Sequence, residues 1–160
     1  MDYVWTPWRY RYLASNPKPN DCFLCSAATG ADDAQSLVVL RAGKNFIILN
    51  RYPYTSGHVM IVPYVHEGSL SALDQATIAE MMVLAQRVQS ALERTYHPDG
   101  YNLGMNLGRA GGAGVADHIH LHVLARWFGD TNFMTTVGET RLEPEDLAVT
   151  YQRLRAALAT

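Results

Sequence analysis

The sequence predicts an α+β domain: an antiparallel sheet with one long helix and a C-terminal helix packed on it. The chain has 160 residues, 48% of them apolar and 18% charged, which suits a single buried core. Its hydrophobic patterns follow in the order strands, long helix, strands and final helix, without an internal repeat. We therefore treat 1–160 as one domain, with an N-terminal arm at 1–36, a core at 37–127 and a C-terminal segment at 128–160.

Charge and hydropathy limit the partners of the chain. The 13 Lys+Arg against 15 Asp+Glu give a formal net charge of -2, so no general positive field is present to hold nucleic acid. The apolar stretches are shorter than a membrane span, and Met1-Asp2-Tyr3 carries acid where a secretory signal carries base. We expect a soluble cytoplasmic protein with neither nucleic acid nor membrane as a partner.

The first half of the chain predicts an arm followed by three strands. The first twenty residues are rich in Trp, Tyr and Pro without a period, which favours an irregular segment lying against another surface. Two β-rich runs at 37–40 and 46–49 flank the turn Ala42-Gly43-Lys44-Asn45, so we expect a hairpin. A third strand is expected at 57–62.

The second half predicts two helices and two further strands. From 71 to 96 apolar residues recur at three and four, which indicates one amphipathic helix that starts at Ser71-Ala72-Leu73-Asp74. His97-Pro98-Asp99-Gly100 stops it. Strands are expected at 101–106 and 117–125, joined by a glycine-rich loop at 108–114. The last helix opens at Pro144.

The most informative stretch is Asp117-His118-Ile119-His120-Leu121-His122-Val123-Leu124. Alternate side chains of a strand face opposite ways, so the three histidines would share one face and the apolar residues the other. Three of the six histidines of the chain lie within five positions. Three interpretations arise: histidines held by structural hydrogen bonds, a metal site, or nucleophilic attack of an imidazole nitrogen on phosphorus. The loop at 108–114 favours the third, because its backbone N–H groups can hold phosphoryl oxygens.

The stretch from His118 to Leu124 matches His-φ-His-φ-His-φ-φ, with φ apolar, and so resembles the histidine triad (HIT) family. The residues at 46–63 resemble the nucleotide-binding half of that family, and the resemblance covers 37–127. It implies a HIT-like fold and a nucleotidyl hydrolase or transferase that acts at the α-phosphate of an adenine nucleotide or dinucleoside polyphosphate.

The resemblance also implies the site residues. His120 would be the nucleophile of an AMP-histidine intermediate, with His118 and His122 flanking it. Family members often carry Gly-Gln-Ser or Gly-Gln-Thr before the first histidine, but this chain lacks those polar side chains, so backbone, Asn106 or Arg109 must contact phosphate. The implied nucleotide-binding residues are Asn50, Ile48, His58, Asn106, Arg109, Gly112 and Gly114. From local sequence alone, a turn residue that ends a strand is the better interpretation of Asn50, and a structural role for His58 is as good as a functional one.

Two further stretches, Trp5-Thr6-Pro7-Trp8-Arg9 and 126–134, resemble an actinobacterial branch that includes diadenosine tetraphosphate phosphorylases. Those enzymes use inorganic phosphate and release ADP and ATP. The triad does not encode the acceptor, so a hydrolase, a nucleoside phosphoramidase and a non-catalytic nucleotide-binding module stay as alternatives. The family implies a homodimer or tetramer and no organic cofactor, with magnesium arriving only on the substrate polyphosphate.

Cys22 and Cys25 are too few for a disulfide framework, and their spacing indicates a metal clip or a redox pair. The sequence shows no helix pattern of the usual redox kind after them. Relatives place such a pair with two histidines around structural zinc. The resemblance implies His66 and His118 as the other two ligands of a Cys₂His₂ set.

Overall fold

The computed structural model describes residues 22–132, 135, 137 and 145–159. The strands are β1 Val38–Arg41, β2 Asn45–Leu49, β3 Val59–Pro63, β4 Gly100–Gly104 and β5 Leu121–Arg126. The helices are α1 Phe23–Thr29, α2 Asp33–Ser36, α3 Gln75–Tyr96 and α4 Leu147–Leu158, with a 3₁₀ turn at Leu70–Ala72. Outside the described residues lie the first 21 residues of the arm, the expected helix start at Pro144, and Phe133 and Met134.

The five strands form one antiparallel sheet in the order β1-β2-β3-β5-β4. Its register pairs Ile48 with Met60, and Met60 with His122. These three side chains therefore form a row across β2, β3 and β5. The sheet confirms the predicted α+β class and the hairpin of β1 and β2.

Each face of the sheet carries its own apolar cluster, as strand alternation requires. On one face Ile47, Leu49 and their neighbours pack against α3 and α4. On the other, Ile48 and Met60 pack against Leu24 of α1. The row that ends at His122 thus lies on the α1 face, away from the two long helices.

The ends of α3 follow from side chains and backbone geometry. Asp74 is the N-cap, because its carboxylate accepts a hydrogen bond from the Thr77 N–H at 2.9 Å. His97 ends the helix in the left-handed conformation at φ 46°. The predicted stop is confirmed, and the observed N-cap Asp74 lies within the predicted capping signal Ser71-Ala72-Leu73-Asp74. Residues 71–74 themselves are not part of the helix, since 70–72 form a separate 3₁₀ turn.

The structure corrects three other expectations. The strand expected at 117–125 begins only at Leu121, because the preceding backbone bonds elsewhere: Ile119 N–H donates to the Glu67 carbonyl at 2.7 Å. The strand expected at 101–106 is Gly100–Gly104. Helices α1 and α2 were not predicted, since each is short and α1 buries only Leu24 and Ala27.

None of the helices in the described ranges is both long and apolar enough to cross a membrane.

Candidate active site and metal centre

The histidines of the triad lie where the chain enters β5. His118 and His120 precede the strand and His122 is its second residue, and all three are buried. The rings of His120 and His122 meet edge to face, with centroids 4.9 Å apart. His58, at the entry to β3, lies against His122 with centroids 5.1 Å apart. The fold therefore places three buried imidazoles, those of His58, His122 and His120, in successive contact.

The hydrogen bond of His120 decides which nitrogen carries its proton. Nδ1 lies 2.9 Å from the backbone carbonyl oxygen of His118. A carbonyl oxygen only accepts, so Nδ1–H donates and a neutral ring keeps its lone pair on Nε2. Burial lowers the pKa of His120, although the bond to the carbonyl acts in the opposite direction. At neutral pH the ring is uncharged and its Nε2 can act as a nucleophile.

A second chain of hydrogen bonds fixes His122. The Tyr54 N–H donates to Nδ1 of His58 at 3.1 Å, so the proton of a neutral His58 lies on Nε2. That Nε2–H then donates to Nδ1 of His122 at 2.9 Å, which leaves the proton of His122 on its own Nε2. Burial, helped by repulsion from neighbouring imidazoles, lowers the pKa of His58 to about 3 and of His122 to about 4. His122 is thus a neutral donor beside His120.

Cys22, Cys25, His66 and His118 form a compact cluster whose four ligand atoms all lie within 4.8 Å of one another. Nδ1 of His118 is 3.3 Å from Sγ of Cys22, and Nδ1 of His66 is 3.2 Å from Sγ of Cys25. Nε2–H of His118 donates to the Pro63 carbonyl at 2.9 Å, so Nδ1 presents a lone pair to the sulfurs. The structure therefore brings together the four residues that the resemblance implied.

The chemistry of this donor set fits zinc. Two thiolates and two imidazoles are an ordinary tetrahedral zinc set, and a carbonyl behind a ligating histidine is its usual support. Burial and the neighbouring Cys22 raise the pKa of the Cys25 thiol, because both disfavour its thiolate form. A bound cation would favour the thiolate. Among the described residues this is the one cluster of three or more metal-ligating groups, and it offers no carboxylates for magnesium.

The expected nucleotide contacts are spread over two loops and a strand. Asn50 accepts the Tyr52 N–H on Oδ1 at 3.0 Å, and its Nδ2 lies 3.4 Å from Nδ1 of His58. Ile48 is only 3% exposed and lies two strands from His122 in the same row, beneath α1. The structure thus places Asn50 beside the histidines and Ile48 deeper in the apolar cluster.

The remaining expected residues, Asn106, Arg109, Gly112 and Gly114, lie on the connection from β4 to β5. Gly108 and Gly112 have φ of 67° and 81°, which residues with a Cβ rarely adopt. The Gly112 N–H donates to the Arg109 carbonyl and the Ala113 N–H to the Gly108 carbonyl, so the loop closes on itself. The Arg109 side chain is exposed.

A cavity of about 700 Å³, with no histidine among the described residues that line it, was not predicted from the sequence. Tyr54 lines it and also stacks on His122, with centroids 6.1 Å apart. Leu124 and Arg126 line the cavity farther along β5, and Trp127 lines it directly after the strand. Leu124 lies two residues after His122 on the same face of the strand, so the sequence signal was present but unspecific.

Comparisons with known proteins agree with this geometry. A family model described as a HIT domain matches residues 31–129. The AP-4-A phosphorylase of Mycobacterium tuberculosis is 37% identical over 94% of this chain and 81% of its own length. An uncharacterised HIT-like protein of the same species is 31% identical over 86% of this chain and 93% of its own.

Solved structures agree as well. The crystal structure of a Zn-bound histidine triad family protein from Mycobacterium smegmatis superposes with a TM-score of 0.71. It is 33% identical, and the match covers 87% of this chain and 94% of that one. Together, the family model and the AP-4-A phosphorylase relative show that the chain is an enzyme of the nucleotidyltransferase or hydrolase kind. A family model over more than half of the chain, on a sheet that gathers the alternating histidines, shows that this protein belongs to the histidine triad (HIT) family.

Proposed function

We propose that this enzyme is a diadenosine tetraphosphate phosphorylase that works through an AMP-histidine intermediate on His120. The observation that carries the proposal is the hydrogen bond from Nδ1 of His120 to the His118 carbonyl, which leaves Nε2 unprotonated in a buried site. The 37% identity to the M. tuberculosis AP-4-A phosphorylase supports the substrate and the acceptor.

The first step forms a bond from Nε2 of His120 to the α-phosphorus. The bond from that phosphorus to the bridging oxygen breaks, and ATP leaves with the electron pair. His122 presents Nε2–H beside the attacking ring, so it can donate to a phosphoryl oxygen as charge develops there. Glycine-loop N–H groups and Arg109 would stabilise the remaining charge.

The second step reverses the chemistry with a new acceptor. An oxygen of inorganic phosphate attacks the AMP phosphorus, the bond to Nε2 breaks, and ADP is released from a regenerated imidazole. Water attacking the same intermediate would give AMP instead, so the pocket around the acceptor decides between phosphorylase and hydrolase. The cavity lined by Tyr54, whose ring stacks on His122, offers volume for the leaving nucleotide.

The row of side chains that runs from His122 through Met60 to Ile48 supports a nucleoside site nearby. Asn50 would bind the ribose hydroxyls through the amide that lies beside His58. Ile48, only 3% exposed, would support the base pocket from the apolar cluster beneath α1. His58 acts behind His122 rather than on the polyphosphate, because its two nitrogens are taken by Tyr54 and His122.

Cys22, Cys25, His66 and His118 would hold a structural zinc ion. When bound, zinc supplies a cross-link between α1, the residues after β3 and the approach to β5. The His118 carbonyl belongs to a residue whose side chain is in this cluster, so the cluster orients His120 without touching substrate.

We further propose that the protein forms a homodimer or a tetramer. Strand β4 is at the edge of the sheet, and Leu103 on it and Leu107 after it are exposed. In the part of the chain that the structure describes, no strand pairs with the outer edge of β4, and such an edge with exposed leucines suits pairing with a second copy.

Incubating the protein with diadenosine tetraphosphate, with and without inorganic phosphate, tests the acceptor. ADP plus ATP that form only with phosphate are expected. AMP plus ATP in both reactions would make the protein a hydrolase with the same nucleophile. No turnover of this substrate would refute the phosphorylase and leave a phosphoramidase or a nucleotide-binding module.

A further inference from the structure

Cys22 and Cys25 have the setting of a redox pair as well as of a metal clip. Cys22 directly precedes α1 and Cys25 lies in its first turn, so the structure supplies the helix that the sequence pattern did not show. Their sulfur atoms lie within 4.8 Å of each other. Both residues are partly exposed, and the chain has no other cysteine.

A short path connects this pair to the nucleophile. Sγ of Cys22 lies 3.3 Å and Sγ of Cys25 3.5 Å from Nδ1 of His118. The backbone carbonyl of His118 accepts the proton of His120 Nδ1 at 2.9 Å. His118 thus links the thiols to the nucleophile: its ring contacts both sulfur atoms, and its backbone carbonyl orients the ring of His120.

We propose that Cys22 and Cys25 are a peroxide-sensitive thiol pair, whose closure to a disulfide disassembles the Cys/His cluster and lowers turnover. The effect on turnover rests on the proposed function, because it acts through His120.

The oxidation balances with one peroxide for each pair. One thiolate attacks an oxygen of hydrogen peroxide, the O–O bond breaks, and a sulfenic acid and hydroxide form. The second thiolate attacks the sulfenic sulfur, the S–S bond forms, and a second hydroxide leaves. With two protons from the thiols, the products are one disulfide and two waters. The disulfide sulfurs are no longer anionic ligands, so a bound zinc ion loses two of its four partners.

The test oxidises the zinc-loaded chain with hydrogen peroxide and follows titratable thiols, zinc captured by a chromogenic indicator, and kcat on diadenosine tetraphosphate. We expect two thiols and one zinc ion to be lost per chain, and kcat to fall by about 10-fold or more. Reductant plus zinc should restore all three. Oxidation of both thiols with kcat unchanged, or with zinc retained, would overturn the proposal.

Cys25→His is the matched variant, because it keeps four metal ligands but cannot form the disulfide. Under the same treatment it should keep most of its kcat, and an equal loss of kcat would show that the disulfide is not what lowers turnover. If this variant fails to fold, chelating zinc from the reduced wild-type chain replaces it, and kcat should fall as far as after oxidation. No fall on chelation would refute the link to His120.

An NMR readout separates this proposal from the proposed function. Long-range ¹H–¹⁵N correlation spectra report the tautomer of His120, whose Nδ1–H form should be present in the reduced chain and lost after oxidation. If the untreated chain turns over no nucleotide, the proposed function fails, yet loss of this signal with zinc release still supports the thiol switch. An unchanged His120 signal after disulfide formation would overturn it.

Discussion

At the scale of single residues, the proposed mechanism places the reaction on His120 and gives its neighbours the task of orienting it. We expect His120→Asn to lower kcat by at least about 10³-fold, because the intermediate cannot form, while nucleotide binding is retained. Steady-state rates and a binding titration measure both. His97→Asn is the control, since His97 is an exposed helix end in the left-handed conformation that asparagine accepts. Wild-type kcat in His120→Asn would contradict the mechanism.

The sequence predicts that the histidines take part in catalysis, but it does not predict which hydrogen bonds fix each ring. Spacing alone predicted that all three share a face, whereas the ring of His118 lies in the Cys/His cluster and its carbonyl holds His120. The link from Tyr54 through His58 to His122 joins two strands and a loop. Such bonds depend on strand register, which a local pattern does not contain.

At the scale of elements, Gly57 sets the entry to β3 and so the position of His58. Its φ is 76°, and an added Cβ would lie 2.7 Å from Cδ2 of Leu92. We expect Gly57→Ala to lower the free energy of unfolding by about 1–3 kcal/mol, measured by urea denaturation. Gly100→Ala is the matched control, because a Cβ there meets nothing within 4 Å. Equal stability of the two variants would show that this turn tolerates a side chain.

The long elements were predictable because their patterns are local. Helix α3 repeats its apolar face over six turns, and β1 and β2 are adjacent and joined by a tight turn. The short elements were not, because tertiary contacts define them. Helix α1 has no side-chain cap, and its carbonyls at Ala27 and Ala28 accept hydrogen bonds from Arg41 of β1 instead. The start of β5 likewise depends on the bond from Ile119 to Glu67.

At the scale of the whole molecule, the buried imidazoles make stability depend on pH. Folding lowers the pKa of His58 to about 3 and of His122 to about 4, below the ordinary value near 6.5. Between pH 6.5 and 4 the unfolded chain therefore binds more protons, so the free energy of unfolding falls as pH falls. Each group contributes at most about 1.4 kcal/mol per pH unit.

Urea denaturation at pH 7, 6 and 5 measures this dependence. We expect the midpoint to decrease steadily toward pH 5 and His58→Gln to show a shallower decrease than wild type. His97→Asn should keep the wild-type slope. Equal midpoints at pH 7 and pH 5 would show that these histidines are charged or solvated in the folded protein.

The two faces of the sheet have different neighbours. One face is filled by α3 and α4, and the other joins α1, the Cys/His cluster and the histidines.

The central claim is that His120 bonds covalently to the α-phosphate during turnover. Reactions with α-labelled diadenosine tetraphosphate would be stopped and digested under alkaline conditions, because phosphoramidates survive base but are hydrolysed by acid. The peptides would then be sequenced by mass spectrometry. Our account predicts AMP on Nε2 of His120 alone; label on His122, or turnover without any labelled histidine, would contradict it.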